Sequence, residues 1–75
     1  MRHLLVVLLR SEGEEVERVG LVAPGFVHVE RRGEELVFVY PGGERTAVRP
    51  KDSVEALDRI ENAFRVGLAE AFVEV

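Results

Sequence analysis

Turn signals recur about every ten residues through most of this chain, and that spacing leaves few folds open. They are Ser11-Glu12-Gly13, Pro24-Gly25, Arg32-Gly33-Glu34 and Pro41-Gly42-Gly43. In Pro24-Gly25 and Pro41-Gly42, proline presets the first central φ of a type II turn and glycine accepts the positive φ of the second. Short segments separated so regularly are the pattern of an antiparallel meander.

The segments between the turns agree with that pattern. His3 to Arg10 carries the run Leu4-Leu5-Val6-Val7-Leu8-Leu9, too short for a typical helix and read as a strand apolar on both faces. Phe26 to Arg31 sets Phe26, His28 and Glu30 on one face by simple alternation. Glu35 to Tyr40 sets Leu36, Phe38 and Tyr40 against Val37 and Val39. Arg45 to Arg49 is shorter and more polar, as an edge strand is. Glu14 to Ala23 is ambiguous. Its valines favour a strand, although Ser11 with Glu14 resembles a capping box and Val16, Val19 and Ala23 fit a helical face.

Near the C-terminus the periodicity changes from two to three or four. Asp52 is placed to cap a helix, with Glu55 completing a capping box. Val54, Leu57, Ile60, Phe64, Leu68, Ala71 and Phe72 then follow a helical period. Ala56, Ala63, Gly67 and Ala71 form a line of small residues beside them, read first as close packing on the sheet and second as a helix–helix contact. The expected fold is α+β. It is one domain over 1–75, with a four- or five-stranded, mostly antiparallel sheet over approximately 3–49. One C-terminal amphipathic helix, approximately 53–72, packs on one face.

That arrangement sets a physical problem. One helix covers one face of a sheet, yet two of the strands are apolar on both. Leaving Val6, Leu8, Val37 and Val39 in water forfeits roughly 1.5–3 kcal/mol for each large side chain. Either the sheet curls on itself or a second copy buries the remaining face. At 75 residues a single core is marginal, and with no cysteine there is no disulfide or thiolate metal site to reinforce it. A homodimer is therefore expected.

Charge and composition narrow the function classes. The net charge of −4 disfavours nonspecific attraction to nucleic acid or anionic lipid. No apolar run approaches a membrane span or a signal-peptide core, so a cytoplasmic, soluble protein is expected. Arginine outnumbers lysine nine to one, glutamine is absent and Asn62 is the sole asparagine. This is the balance found where thermolabile residues are selected against and ion-pair networks help.

Four features have the residue types of candidate sites. Phe26, Phe38 and Tyr40, with Arg45, Arg49 and Lys51 at nearby strand ends, have the residue types of a sheet surface that stacks single-stranded bases. Against this, residues 26–51 carry five positive and four negative side chains, and the aromatics also suit a core. His28 and Glu30, two apart on a strand, could share a metal ion if His3 supplied a third ligand. The pair Gly42-Gly43 lacks the lysine and following helix of a phosphate loop. Ser11 and Ser53 have no histidine close in sequence, so no nucleophilic constellation is apparent and catalysis is not expected. No cofactor is implied. The favoured expectation is a non-catalytic, homodimeric interaction or regulatory module that binds another protein through the arginine-rich edge from Arg45 to Lys51. Single-stranded nucleic-acid binding is the alternative, and small-molecule or metal binding the second alternative.

Overall fold

The computed structural model describes residues 3–7 and 20–75. The fold is α+β, with six strands and one helix among the described residues. In chain order these are β1 (His3–Val7), β2 (Gly20–Val22), β3 (His28–Arg32), β4 (Glu35–Val39), β5 (Arg45–Val48), α1 (Ser53–Val66) and β6 (Glu70–Glu74). The turn at Ser11 to Gly13, residues 8–10 of the expected first strand and 14–19 of the ambiguous segment lie outside the described residues.

The middle of the chain forms the expected meander. β3, β4 and β5 pair antiparallel in that order, with Val29 opposite Phe38 and Phe38 opposite Thr46. The Pro41-Gly42 turn takes the type II form read from its sequence. Gly42 has φ +91°, and the Gly43 N–H donates to the Tyr40 carbonyl at 3.1 Å.

The strands do not join into one sheet of four or five. They divide into two three-stranded sheets, β2-β1-β6 and β3-β4-β5. β1 is the centre of the first. It pairs parallel with β2 and antiparallel with β6, with Leu5 in register with both Leu21 and Phe72. Turn spacing reveals neighbours along the chain. It carries no information on a pairing between residues 3–7 and 70–74, and the uninterrupted apolar run of β1 fits a strand flanked on both sides.

The helix is also not the C-terminal element, and it ends at Val66 rather than 72. Gly67 takes the left-handed conformation, φ 76°, and stops it. The Leu68 N–H reaches the Ala63 carbonyl at 2.9 Å and the Gly67 N–H reaches that of Phe64 at 3.2 Å, the bond pair of a Schellman motif. Leu68, Ala71 and Phe72 had extended the helical period by coincidence of spacing. Ala71, Phe72 and Val73 instead alternate buried, exposed, buried along β6.

At its other end α1 starts as expected. Asp52 is the N-cap, its Oδ1 accepting from the Val54 and Glu55 N–H groups at 3.1 Å each. The side chain of Glu55 pairs with Arg59 one turn on, at 2.9 Å, so its recorded partner is not the cap backbone. The buried residues of the helix are Ala56, Ile60 and Ala63, with Leu57 packed beside them. Val54 and Phe64, expected on the buried stripe, are exposed. Of the line of small residues, Ala56 and Ala63 are on the contact side of α1 with Ile60, facing β6, β3 and β4, whereas Gly67 is the exposed cap and Ala71 belongs to β6.

One core gathers both sheets. Val6, Val22, Ala71 and Val73 come from the first, Leu36 and Phe38 from the second, and Ala56, Ile60 and Ala63 from α1. Much of the apolar surface that one helix was too small to cover is therefore covered by a second sheet. Among the described residues, no helix is long and apolar enough to cross a membrane.

Candidate partner-binding edge

The sheet β3-β4-β5 holds most of the residues singled out in the sequence, and its register sorts them onto two faces. On the core face stand Val29 of β3, Leu36 and Phe38 of β4, and Val48 of β5. On the other face His28, Glu30 and Arg32 flank Val39, Val37 and Glu35, with Arg45 and Ala47 on the far side of β4. Val37 is 9% exposed although it is outside the core cluster, so it is covered on that outer face. Its cross-strand partners are Glu30 and Ala47.

Phe26 departs from the simple alternation that put it beside His28. The Val27 N–H donates to the Val39 carbonyl at 2.8 Å while His28 is the register partner of Val39. Two consecutive residues thus oppose one, a β-bulge. The extra residue shifts the parity of everything before it. Phe26 turns to the core face, and Val27 is left 69% exposed.

The aromatic residues consequently form a wall of the core. The Phe26 ring meets Phe38, Tyr40 and Phe64 edge-on, with centroids 5.0, 6.4 and 5.7 Å away. Phe38 is fully buried and Phe26 and Tyr40 are half-buried. The Tyr40 hydroxyl donates to the Ala23 carbonyl at 2.9 Å. Phe38 therefore offers no face on which a base could stack, and Arg45 lies on the opposite side of the sheet from it.

On the outer face His28, Glu30 and Arg32 form a polar ladder along β3. Arg32 Nε donates to Glu30 Oε1 at 2.7 Å, and His28 Nε2 lies 3.4 Å from Glu30 Oε2. The histidine hydrogen bond, together with the Arg32 guanidinium, holds the Glu30 carboxyl below its ordinary value against the opposing effect of burial. The pair meets as expected, but His3 is on β1 in the other sheet and its side chain lies outside the described residues. No cluster of three metal-ligating side chains occurs among the described residues.

No known family, curated protein or solved structure matches the chain.

The edges of the sheet differ more than its faces. Along β3 the bulge at Val27 immediately precedes the first strand residue, and Arg31 is tied back to the Gly33 carbonyl at 3.0 Å. Along β5 the register with β4 runs without a bulge. The Tyr40 N–H donates to the Glu44 carbonyl at 2.8 Å, which fixes the phase of the ladder. Antiparallel alternation then turns the backbone groups of Thr46 and Val48 toward β4, and those of Arg45 and Ala47 outward. Among the described residues no backbone or side-chain group pairs with that outward set. Arg45, Thr46 and Ala47 are all exposed.

Arginines stand at both ends of this open edge. Arg45 begins β5 and has no ion-pair partner among the described residues. Arg49, one residue past the strand, pairs with Glu34, both side chains being largely exposed. Lys51 is turned elsewhere. Its N–H donates to the Glu74 carbonyl at 2.8 Å and its Nζ lies 3.4 Å from Glu74 Oε1, so it closes part of the β6 edge. A cleft of about 290 Å³ between the start of α1 and β6 is lined by Lys51, Asp52, Glu55 and Arg59. Lys51 pairs there with Glu74 and Arg59 with Glu55, while Asp52 caps the helix.

A second surface is apolar. Val27 and Phe64 line one cleft of about 270 Å³ together with Phe26, His28 and Val29. Phe64 is 48% exposed there, and Val66 and Leu68 are exposed around the end of α1. Sequence reasoning places Phe64 in the core and Val27 on one face with Val29 and Arg31. A bulge has no residue signature in Phe26-Val27-His28, so alternation was the only guide. The outward-facing backbone of Ala47 was equally invisible, because it depends on the register with β4.

Proposed function

We propose that the chain is a small, non-catalytic, homodimeric module that binds another protein by adding a strand of that partner to the β5 edge. The observation that carries this reading is the open ladder at Arg45 and Ala47, uninterrupted by a bulge. Such an edge supplies main-chain hydrogen bonds to any extended segment, and the flanking side chains select which one. Its polarity also limits unwanted pairing, since charged residues on edge strands discourage aggregation.

The test is a substitution that blocks the edge without touching the sheet. The Ala47 N–H points away from β4, so Ala47→Pro removes an outward donor and no internal ladder bond. In affinity capture from the native lysate after nuclease treatment, a partner retained by the parent chain is expected to be lost with Ala47→Pro. If the proline variant, shown by circular dichroism to be folded, retains the same protein, strand addition at β5 is wrong.

The homodimer rests on a separate observation, the exposed Val27 and Phe64 that line one cleft. Two copies meeting there would cover the apolar surface that the second sheet leaves open. Light scattering is expected to give twice the chain mass, and Phe64→Glu to return it to a monomer.

A further inference from the structure

Resting on the strand-addition reading, we infer that the β5 edge selects an extended acidic segment, with carboxylates spaced four residues apart on either side of a small or β-branched centre. Arg45 and Arg49 bracket the edge at that spacing, about 14 Å along an extended chain. An added strand running alongside has the same rise per residue. It therefore brings its own residues four apart level with the two guanidiniums. Ala47 lies between them with little side chain to obstruct a neighbour, and Arg45 has no competing carboxylate among the described residues.

Charge also decides against the simplest rival, a second copy of β5. Two such strands paired antiparallel about Ala47 would set Arg45 of one copy against Arg49 of the other at both ends. Like charges directly opposite across a ladder are destabilising. The arrangement that repels its own kind attracts its complement, and guanidiniums are suited to paired hydrogen bonds with carboxylates. The β3 edge offers no equivalent pair of available cations, since Arg32 is held by Glu30 and Arg31 by the Gly33 carbonyl.

Glu34 takes part as an internal competitor. It occupies Arg49 in the free chain, and an incoming carboxylate must displace it. Removing Glu34 therefore favours the acidic segment.

The experiment uses capped heptapeptides titrated into the full isotopically labelled chain and followed by NMR. The first peptide has glutamate at its second and sixth positions with valine and threonine between. The second replaces both glutamates by glutamine. A third keeps the glutamates but carries N-methyl groups on alternate backbone amides. An oligodeoxythymidylate is the last probe. The acidic peptide is expected to bind about tenfold more tightly than its glutamine counterpart, and to shift the Arg45 and Ala47 amides most. Arg45→Gln is expected to weaken it about fivefold, and Glu34→Gln to strengthen it two- to threefold. N-methylation and Ala47→Pro should each abolish binding, and the methylated peptide decides if the proline variant fails to fold. Equal binding of the glutamine peptide, still lost on N-methylation, would leave strand addition standing and overturn the selection for acid. Acidic binding that survives N-methylation would overturn both, as would no binding at millimolar peptide. An oligonucleotide that displaces the acidic peptide from the same amides would overturn the peptide reading in favour of nucleic acid.

Discussion

The two faces of the sheet β3-β4-β5 are built from the same short strands but do different work. The core face is apolar and continuous with α1 and the second sheet, carrying Leu36, Phe38 and Val29. The outer face holds Val37 between Glu30 and Ala47, and Val39 between His28 and Arg45. Val37 is nearly as buried as a core residue, yet it is outside the core cluster. Burial by long side chains excludes water without close packing. Burial against a helix and a second sheet leaves a cavity when a side chain is shortened. The difference teaches that exposure alone does not rank these positions, and that what covers a residue does.

Phe38→Ala should therefore be the most damaging change, costing about 3–5 kcal/mol in urea unfolding. Val37→Ala, at a site whose cover can collapse onto it, should cost about 1–1.5 kcal/mol. If the two losses prove equal, the contrast between the faces is not real. Tyr40→Phe sharpens the contrast at the rim of the core face. It removes the hydrogen bond to the Ala23 carbonyl and keeps the ring against Phe26, so a loss of about 1 kcal/mol is expected by the same measurement.

The smallest effect belongs to the outer face and shows itself only with pH. The carboxyl of Glu30 is held below its ordinary value in the folded chain, first by His28 and then by Arg32. Its contribution is therefore present above the unfolded glutamate value, about 4.3, and is lost as the pH falls through the lower folded value. Denaturation midpoints of the parent chain and Glu30→Gln should differ slightly at neutral pH and converge in acid. Added salt should narrow the gap at neutral pH. A difference that grows on acidification would reverse the sign and remove Glu30 from the outer ladder.

The local features were legible in the sequence because local chemistry determines them. Pro41-Gly42 specified its turn, Asp52 its helix cap, and Glu35 to Tyr40 its strand. The partition into two sheets was not legible, because it depends on β1 finding β6, and neither segment encodes the other. The end of α1 had a signal in Gly67, but the spacing of Leu68, Ala71 and Phe72 imitated a further turn of helix. For the candidate edge, the polarity of Arg45 to Arg49 was readable. Which of its backbone groups face outward was not, since that is a property of the ladder with β4. Phe26 was assigned to the wrong side for a similar reason, as one extra residue at Val27 reverses every face before it.

The pairing of β1 with β6 has a consequence for how the molecule is made. His3 and Glu74 are direct neighbours, so β1 waits for a strand that follows every other element described. Until then its hydrogen-bonding side toward β6 is bare, within a sequence rich in leucine and valine. Fragments that stop after α1 should keep that bare strand permanently and aggregate, whereas the chain through Glu74 hides it.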